Sequence, residues 1–422
     1  MGHHDARHPA QIMPEPRPHC LASLKVALVH DWLTVYGGAE RVLEQILAVL
    51  PQAELFSLVD FVPEDQRAFL GGRKVRTSFL QHLPLARRHY RHYLPLMPLA
   101  IEQFDLSAFD VVISSSYAVA KGVITGPDQT HISYVHSPVR FAWDLQHQYL
   151  SHSGLGHGLR ALLVRALLHK LRLWDLRTAN GVDHFIANSD FIARRVWKVY
   201  RRPAQVIHPP VALDTFRADR AREDHYVVLA RLVPYKRIDL IVEAFAQLPA
   251  HRLVVIGDGP EGERLRRRAP PNVELAGYLP AERARDLLER ARAFVFAAEE
   301  DFGIAMVEAQ ACGAPVIAYG KGGAAEIVRD LDEPAPTGVL FHQQTPEALV
   351  AAIQHFEAHH LRVTASACRD NAERFASPRF RAELAAAIAR GLGEPGPGEL
   401  APEARTSPGR ARALARIAGL PA

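Results

Sequence analysis

Short apolar runs, separated by polar loops and by amphipathic stretches, recur along the whole chain, and the most informative of them lie in residues 294–318 (FVFAAEEDFGIAMVEAQACGAPVIA). Residues 294–297 and 315–318 read as buried strands, 304–312 as a helix opened by the acidic loop 299–303, and Gly313 as its stop. A strand, a helix and a strand this close together form a βαβ unit with parallel strands. Ligands of such sheets bind at the carboxyl ends of the strands. Glu299, Glu300 and Asp301 lie at that end.

The same alternation runs through the rest of the sequence. A strand at 24–30 (LKVALVH) leads into a helix reaching about residue 49, and further strands are expected at 54–59, 110–114, 131–136, 184–188 and 205–208. Pro209 and Pro210 stiffen the exit, and the charged run 217–224 reads as linker. The pattern restarts at 225–230 and continues with a strand before the loop 257–262, strands at 272–276 and 338–341, and a helix at 281–290. Both halves predict open, doubly wound parallel sheets. A length of 422 residues is long for one core and suits two domains.

Candidate chemistry gathers at strand ends. The backbone N–H groups of Phe302, Gly303 and Ile304 open a helix and suit a phosphate. Glu300 can hold sugar hydroxyls beside it, and Glu308, an acid on an apolar helix, suits a vicinal ribose diol; ordinary acidic capping is the plain alternative. Gly37 and Gly38 follow the first strand and permit close approach of an anion, or simply make a turn. His136 projects from a strand end, as a structural hydrogen-bonder or a ligand contact. Arg231 and Lys236 flank a turn where they meet solvent or neutralise a departing diphosphate. Gly257, Gly259 and Gly262 spell G-x-G-x-x-G between a strand and a helix, the form of a dinucleotide fingerprint, so a dehydrogenase binding NAD is an alternative from another class.

Glu300 and Glu308 with FGI between them, followed by EAQACGAPVIA, resemble the E-x7-E signature of glycosyltransferase family 4, the retaining GT-B enzymes that use nucleotide-sugar donors. Further pieces of that pattern recur in order over roughly residues 24–390. The resemblance implies α/β architecture of the GT-B kind, two Rossmann-like doubly wound parallel-sheet domains facing across a cleft. The implied division is a disordered leader (1–22), an acceptor domain (23–216), a donor domain (217–377), a helix crossing back to the first domain (378–390) and a disordered tail (391–422). It also implies roles: His136 beside the transferring sugar, Gly37 and Gly38 at the donor diphosphate and acceptor, Arg231 and Lys236 at the leaving group, and the loop of Gly257 and Gly259 at the nucleotide base. The glycine usual after the lysine is Arg237 here, which bears on the shape of that turn. The stretches HDWLTVYGGAERVLE, SYVHSPVRFAWDLQHQYL and VVLARLVPYKRIDLIVEAF are most similar to bacterial mannosyltransferases of O-antigen and exopolysaccharide assembly. GDP-mannose as donor and a lipid-linked saccharide as acceptor follow from that likeness, with a UDP-sugar as the alternative.

Composition trims the remaining classes. Apolar residues at 48% and charged residues at 23% suit a water-soluble fold, and a net charge of +4 suits anionic ligands or an anionic membrane surface. Cys20, Cys312 and Cys368 lie far apart and form no C-x-x-C, so neither a disulfide framework nor a zinc cluster is expected, and a reducing cytoplasm is the simplest setting to expect. Asp330 and Asp332 form a D-x-D without companion ligands, so no metal or other cofactor is expected. No run of about 18 apolar residues occurs. Residues 87–98 and 159–177 mix cations with leucines and aromatics, either as surface elements packed on the sheet or as a contact with the inner face of a membrane. No motif for reading nucleic acid accompanies them.

Overall fold

The strand Val26–His30 is buried at every position, the pattern of a strand covered by helices on both faces. It is β1 of a computed structural model that describes residues 21–152 and 157–393. With β2 (Glu54–Ser57), β3 (Val75–Thr77), β4 (Val111–Ser116), β5 (Thr130–Val135), β6 (His184–Ala187) and β7 (Ala204–Val206) it forms a parallel sheet in the order β3-β2-β1-β4-β5-β6-β7. A second parallel sheet holds β8 (His225–Leu229), β9 (Arg252–Ile256), β10 (Val273–Gly277), β11 (Ala293–Phe296), β12 (Val316–Tyr319) and β13 (Gly338–Phe341), in the order β10-β9-β8-β11-β12-β13. Each sheet reverses its winding once, between β1 and β4 and between β8 and β11. Crevices open at the carboxyl ends of those strands, and here the two crevices face each other.

Five helices position the site: α1 (Gly38–Val49), α2 (Leu159–Thr178), α3 (Asp190–Tyr200), α4 (Ile304–Ala311) and α5 (Ser377–Gly391). The last of them leaves the second half and joins the core of the first. Its Phe380, Leu384 and Ile388 pack with Leu43, Ile46 and Ile113, and Arg381 donates to Gln45 Oε1 at 2.7 Å. At its start the chain pairs with the connection between the halves, where Val211 N–H donates to the Phe375 carbonyl and Ser377 N–H to the Val211 carbonyl.

Several expected strands are displaced by one or two residues. The one expected over 205–208 stops at Val206, ahead of Pro209 and Pro210, which have no N–H to give a ladder. The hydrophobic pattern does not single out β3, whose three residues (VRT) lie at a sheet edge and are only partly buried. It likewise passes over the helices Pro346–His359 and Ala365–Ala372. Leu21 and Leu392, expected in the leader and the tail, are buried in the first core. Residues 1–20 and 394–422 of those two segments lie outside the described residues.

Candidate functional site

The second half supplies one wall of a cavity of about 780 Å³. After β11 the chain turns and enters α4 through Gly303, whose φ of 102° lies in the left-handed region; a Cβ there would meet Met306 Cε at 2.2 Å. The turn therefore requires glycine, and it sets Phe302, Gly303 and Ile304 in the cavity wall at a helix N-terminus. Lys236, on the turn after β8, lines the same wall and donates from Nζ to Glu300 Oε2. Arg237 holds φ 53° in this turn, the conformation that a glycine would favour, and is tied down by Asp239 and Gln344. Burial, with Arg140 adding to it, pushes the Lys236 ammonium down to about 8 while Asp301 opposes the shift, so the group stays cationic at neutral pH.

The first half supplies the facing wall. His136 follows β5 directly, and its N–H donates to the Ser116 carbonyl on β4. Its ring meets Tyr117 and Tyr134 edge-on, with centroids 5.9 and 5.2 Å away. Burial and the neighbouring His30 lower the His136 pKa to about 3, so the ring is neutral. Tyr117 is held in place by Asp31, which receives the backbone N–H groups of Tyr117, Ala118, Val119 and Ala120 at 2.6 to 2.9 Å. Burial raises the Asp31 pKa and these donors work against it. Gly37 and Gly38 open α1 against the other wall: a Cβ on Gly38 would lie 3.3 Å from Ile304 Cδ1.

Ion pairs tie the walls together. Asp301 accepts from Arg140 at 2.9 Å and from Arg195 on α3 at 2.7 Å, and its carbonyl accepts from Ser189 Oγ at 2.6 Å. Glu326 caps α3 from the other half, taking the N–H groups of Asp190 and Phe191. Arg140 stands over the Tyr235 ring, 5.1 Å from its centroid; burial opposes its charge, but Asp301, Tyr149 and Tyr235 outweigh that and hold its pKa above the ordinary range. Sequence reasoning missed Arg140, Arg41 and Asp31. The only signals were their places just after strand ends and a glycine turn.

His136, Lys236, Glu300, Gly37, Gly38, Phe302, Gly303 and Ile304 thus line one cavity. Four expected residues stand apart from its lining. Arg231 is exposed. Glu308, 7% exposed, accepts from Arg41 of α1 across the cleft. Gly257 and Gly259 face backbone: a Cβ would lie 1.9 Å from the Ala230 carbonyl oxygen and 2.3 Å from that of Leu232. These two glycines let their loop pack against the turn that carries Arg231 and Lys236. Asp330 Oδ1 accepts from Leu331 and Leu340, bracing a loop, and among the described residues no cluster of three metal-ligating side chains occurs.

Residues 36–215 match the family model Glycosyltransferase Family 4, and residues 216–375 match Glycosyl transferases group 1. Among curated relatives, D-inositol 3-phosphate glycosyltransferases resemble part of the chain. The one from Mycobacterium sp. (strain KMS) is 35% identical over 184 residues, which are 37% of this chain and 41% of that protein. The one from Mycobacterium tuberculosis (strain ATCC 25177 / H37Ra) is 36% identical over 185 residues, 37% of this chain and 38% of that protein. The chain thus spans about two fifths of the length of these relatives. Among solved structures, sucrose-phosphate synthase from Thermosynechococcus elongatus superposes with a TM-score of 0.66 at 18% identity, covering 87% of this chain and 99% of its own. Anabaena HepE in complex with UDP and glucose gives 0.63 at 19% identity, again over 87% and 99%. These likenesses, with the two facing parallel sheets, establish the GT-B fold.

Proposed function

We propose, from the premise that the chain carries the paired domains of a GT-B glycosyltransferase of family 4, that it transfers a hexose from a nucleotide-sugar with retention of anomeric configuration. The observation that carries this is the shared cavity, in which a helix N-terminus and the Lys236–Glu300 pair stand opposite His136. The first N–H groups of α4 and the Lys236 ammonium receive the diphosphate, and Glu300 holds sugar hydroxyls. As the sugar–phosphate bond lengthens, charge builds on the phosphate oxygen beside those donors. That oxygen then takes the proton of the incoming hydroxyl on the same face. Lys236 and the helix end meet the leaving group's charge, so the scheme calls for no metal. Arg231, outside the cavity lining, reaches the diphosphate only if its exposed side chain swings in. Gly257 and Gly259 contribute by shaping the turn rather than by touching the base.

The donor we propose is GDP-mannose and the acceptor a lipid-linked oligosaccharide of surface polysaccharide assembly, as the three stretches similar to bacterial mannosyltransferases suggest. A UDP-hexose is the second reading, favoured by the structural neighbour solved with UDP and glucose. Docking on the inner face of the cytoplasmic membrane is supported by Leu159, Leu162 and Leu163 of α2, which stand out of the protein beside Arg160 and Lys170. No helix among the described residues is long and apolar enough to cross a membrane.

The deciding experiment pairs thermal stability with sugar release across GDP, UDP, ADP and their sugar conjugates. A rise in melting temperature and donor turnover confined to GDP-mannose supports the proposal, and the same response confined to a UDP-sugar selects the second reading.

A further inference from the structure

The carboxyl ends of β1, β4 and β5 stand side by side, with His30 in register with Ser115, Ser115 with Tyr134, and His136 one residue beyond Val135. A line of polar groups crosses these ends from α1 to the cavity. Glu40 Oε1 lies 3.5 Å from His30 Nε2, His30 Nδ1 lies 3.1 Å from Ser115 Oγ, and Ser115 Oγ lies 2.8 Å from His136 Nε2. His30 and Ser115 are fully buried, Glu40 is 5% exposed, and the two ends of the line, Glu40 and His136, both border the cavity. His30 Nε2 is sealed from solvent and makes no close hydrogen bond, and Glu40 Oε1 at 3.5 Å faces it.

The direction of the protons along this line follows from elementary valence. Glu40 fixes one end, because its second oxygen already accepts the Gly37 N–H at 3.0 Å. A carboxylate facing a ring nitrogen requires that nitrogen to carry the proton, since the opposite arrangement sets lone pair against lone pair. With a single proton on its ring, His30 carries it on Nε2 and is bare on Nδ1, which takes the single proton of the Ser115 hydroxyl. The Ser115 oxygen is left to accept from His136 Nε2–H. The other nitrogen of His136, Nδ1, is left as a lone pair.

We propose that Glu40, His30 and Ser115 form a buried relay that holds His136 in the tautomer bare at Nδ1, presenting an acceptor to a hydroxyl of the sugar or of the incoming group. The three are positioning residues, acting through His136, and the inference rests on the proposed place of His136 beside the transferred sugar. A ring kept neutral by burial is one whose tautomer decides whether it donates or accepts. The edge-on contacts of Tyr117 and Tyr134 restrict its rotation.

The test is nitrogen NMR of the histidine rings in the full chain, with His136 assigned by its loss in His136→Asn. The expected wild-type state has Nε2 protonated and Nδ1 bare. Ser115→Ala cuts the line and should mix the two tautomers. Glu40→Gln should reverse it: the Gly37 N–H keeps the amide oxygen, the amide nitrogen then donates to His30 Nε2, and the proton on His136 moves to Nδ1. In both variants kcat falls about tenfold while the donor KM stays within about twofold. A wild-type His136 protonated on Nδ1, or a tautomer unmoved in both variants with unchanged melting temperatures, overturns the proposal. The tautomer readout needs no substrate, so a normal relay in a chain that fails to transfer sugar would locate the error in the proposed activity.

Discussion

The two walls of the cavity are built in opposite ways. The wall from the second half draws Glu300, Phe302, Gly303 and Ile304 from one turn, with Lys236 leaning in from the next strand end. The wall from the first half is assembled across strands: His30 and Ser115 are 85 residues apart in sequence, and Ser115 and His136 are 21. A local wall carries its chemistry on a short motif. An assembled wall carries it in the register of a sheet, where no motif reveals it. The local wall sets the Lys236–Glu300 pair beside a helix N-terminus, and the assembled wall sets His136 at the end of a line of contacts that crosses three strand ends.

Three measurements test that contrast, beginning with the largest effect. Glu300→Gln should lower kcat by about 10² to 10³-fold while leaving the melting temperature unchanged, because it removes a charged contact from the local wall. Donor-consumption kinetics on a folded variant check this, and near-normal turnover would deny that wall its chemical role. Next, kcat/KM for the donor should decline as pH rises through about 8, by roughly tenfold per unit beyond it, as the Lys236 ammonium loses its proton. Lys236→Arg should carry that limb to higher pH, since a guanidinium does not titrate there; a limb unmoved by the substitution would belong to another group. The smallest effect is expected at the seam. Arg41→Ala frees the Glu308 carboxylate from its cross-cleft partner and should tighten nucleotide binding by up to about fivefold, given that the arginine is partly exposed. Weaker binding, read by calorimetry, would make Arg41 itself a ligand contact and blur the division between the walls.

This division also accounts for what could be read from the chain. The acidic loop, the helix after it and its glycine were legible because all lie within one βαβ unit, where period and punctuation agree. The positions of Asp31, Glu40 and Ser115 were not, since each matters only through a partner on another strand or helix. Gly257 and Gly259 satisfy two demands with one residue type, because close approach to a ligand and close approach to a neighbouring carbonyl ask the same of a residue. The carbonyls of Ala230 and Leu232 impose the second demand here. Arg237 shows the reverse case: the left-handed turn is kept without glycine, at a cost of about 1 kcal/mol, by side-chain bonds that no spacing reveals.

The return of α5 to the first core means that the halves are joined by two strands of chain rather than one, and these strands are bonded to each other at Val211, Phe375 and Ser377. A single tether lets two bodies swivel, slide and drift apart. A doubled tether pinned at one point leaves mainly an opening and shutting about that pin, which brings the same faces back into alignment each time the halves close.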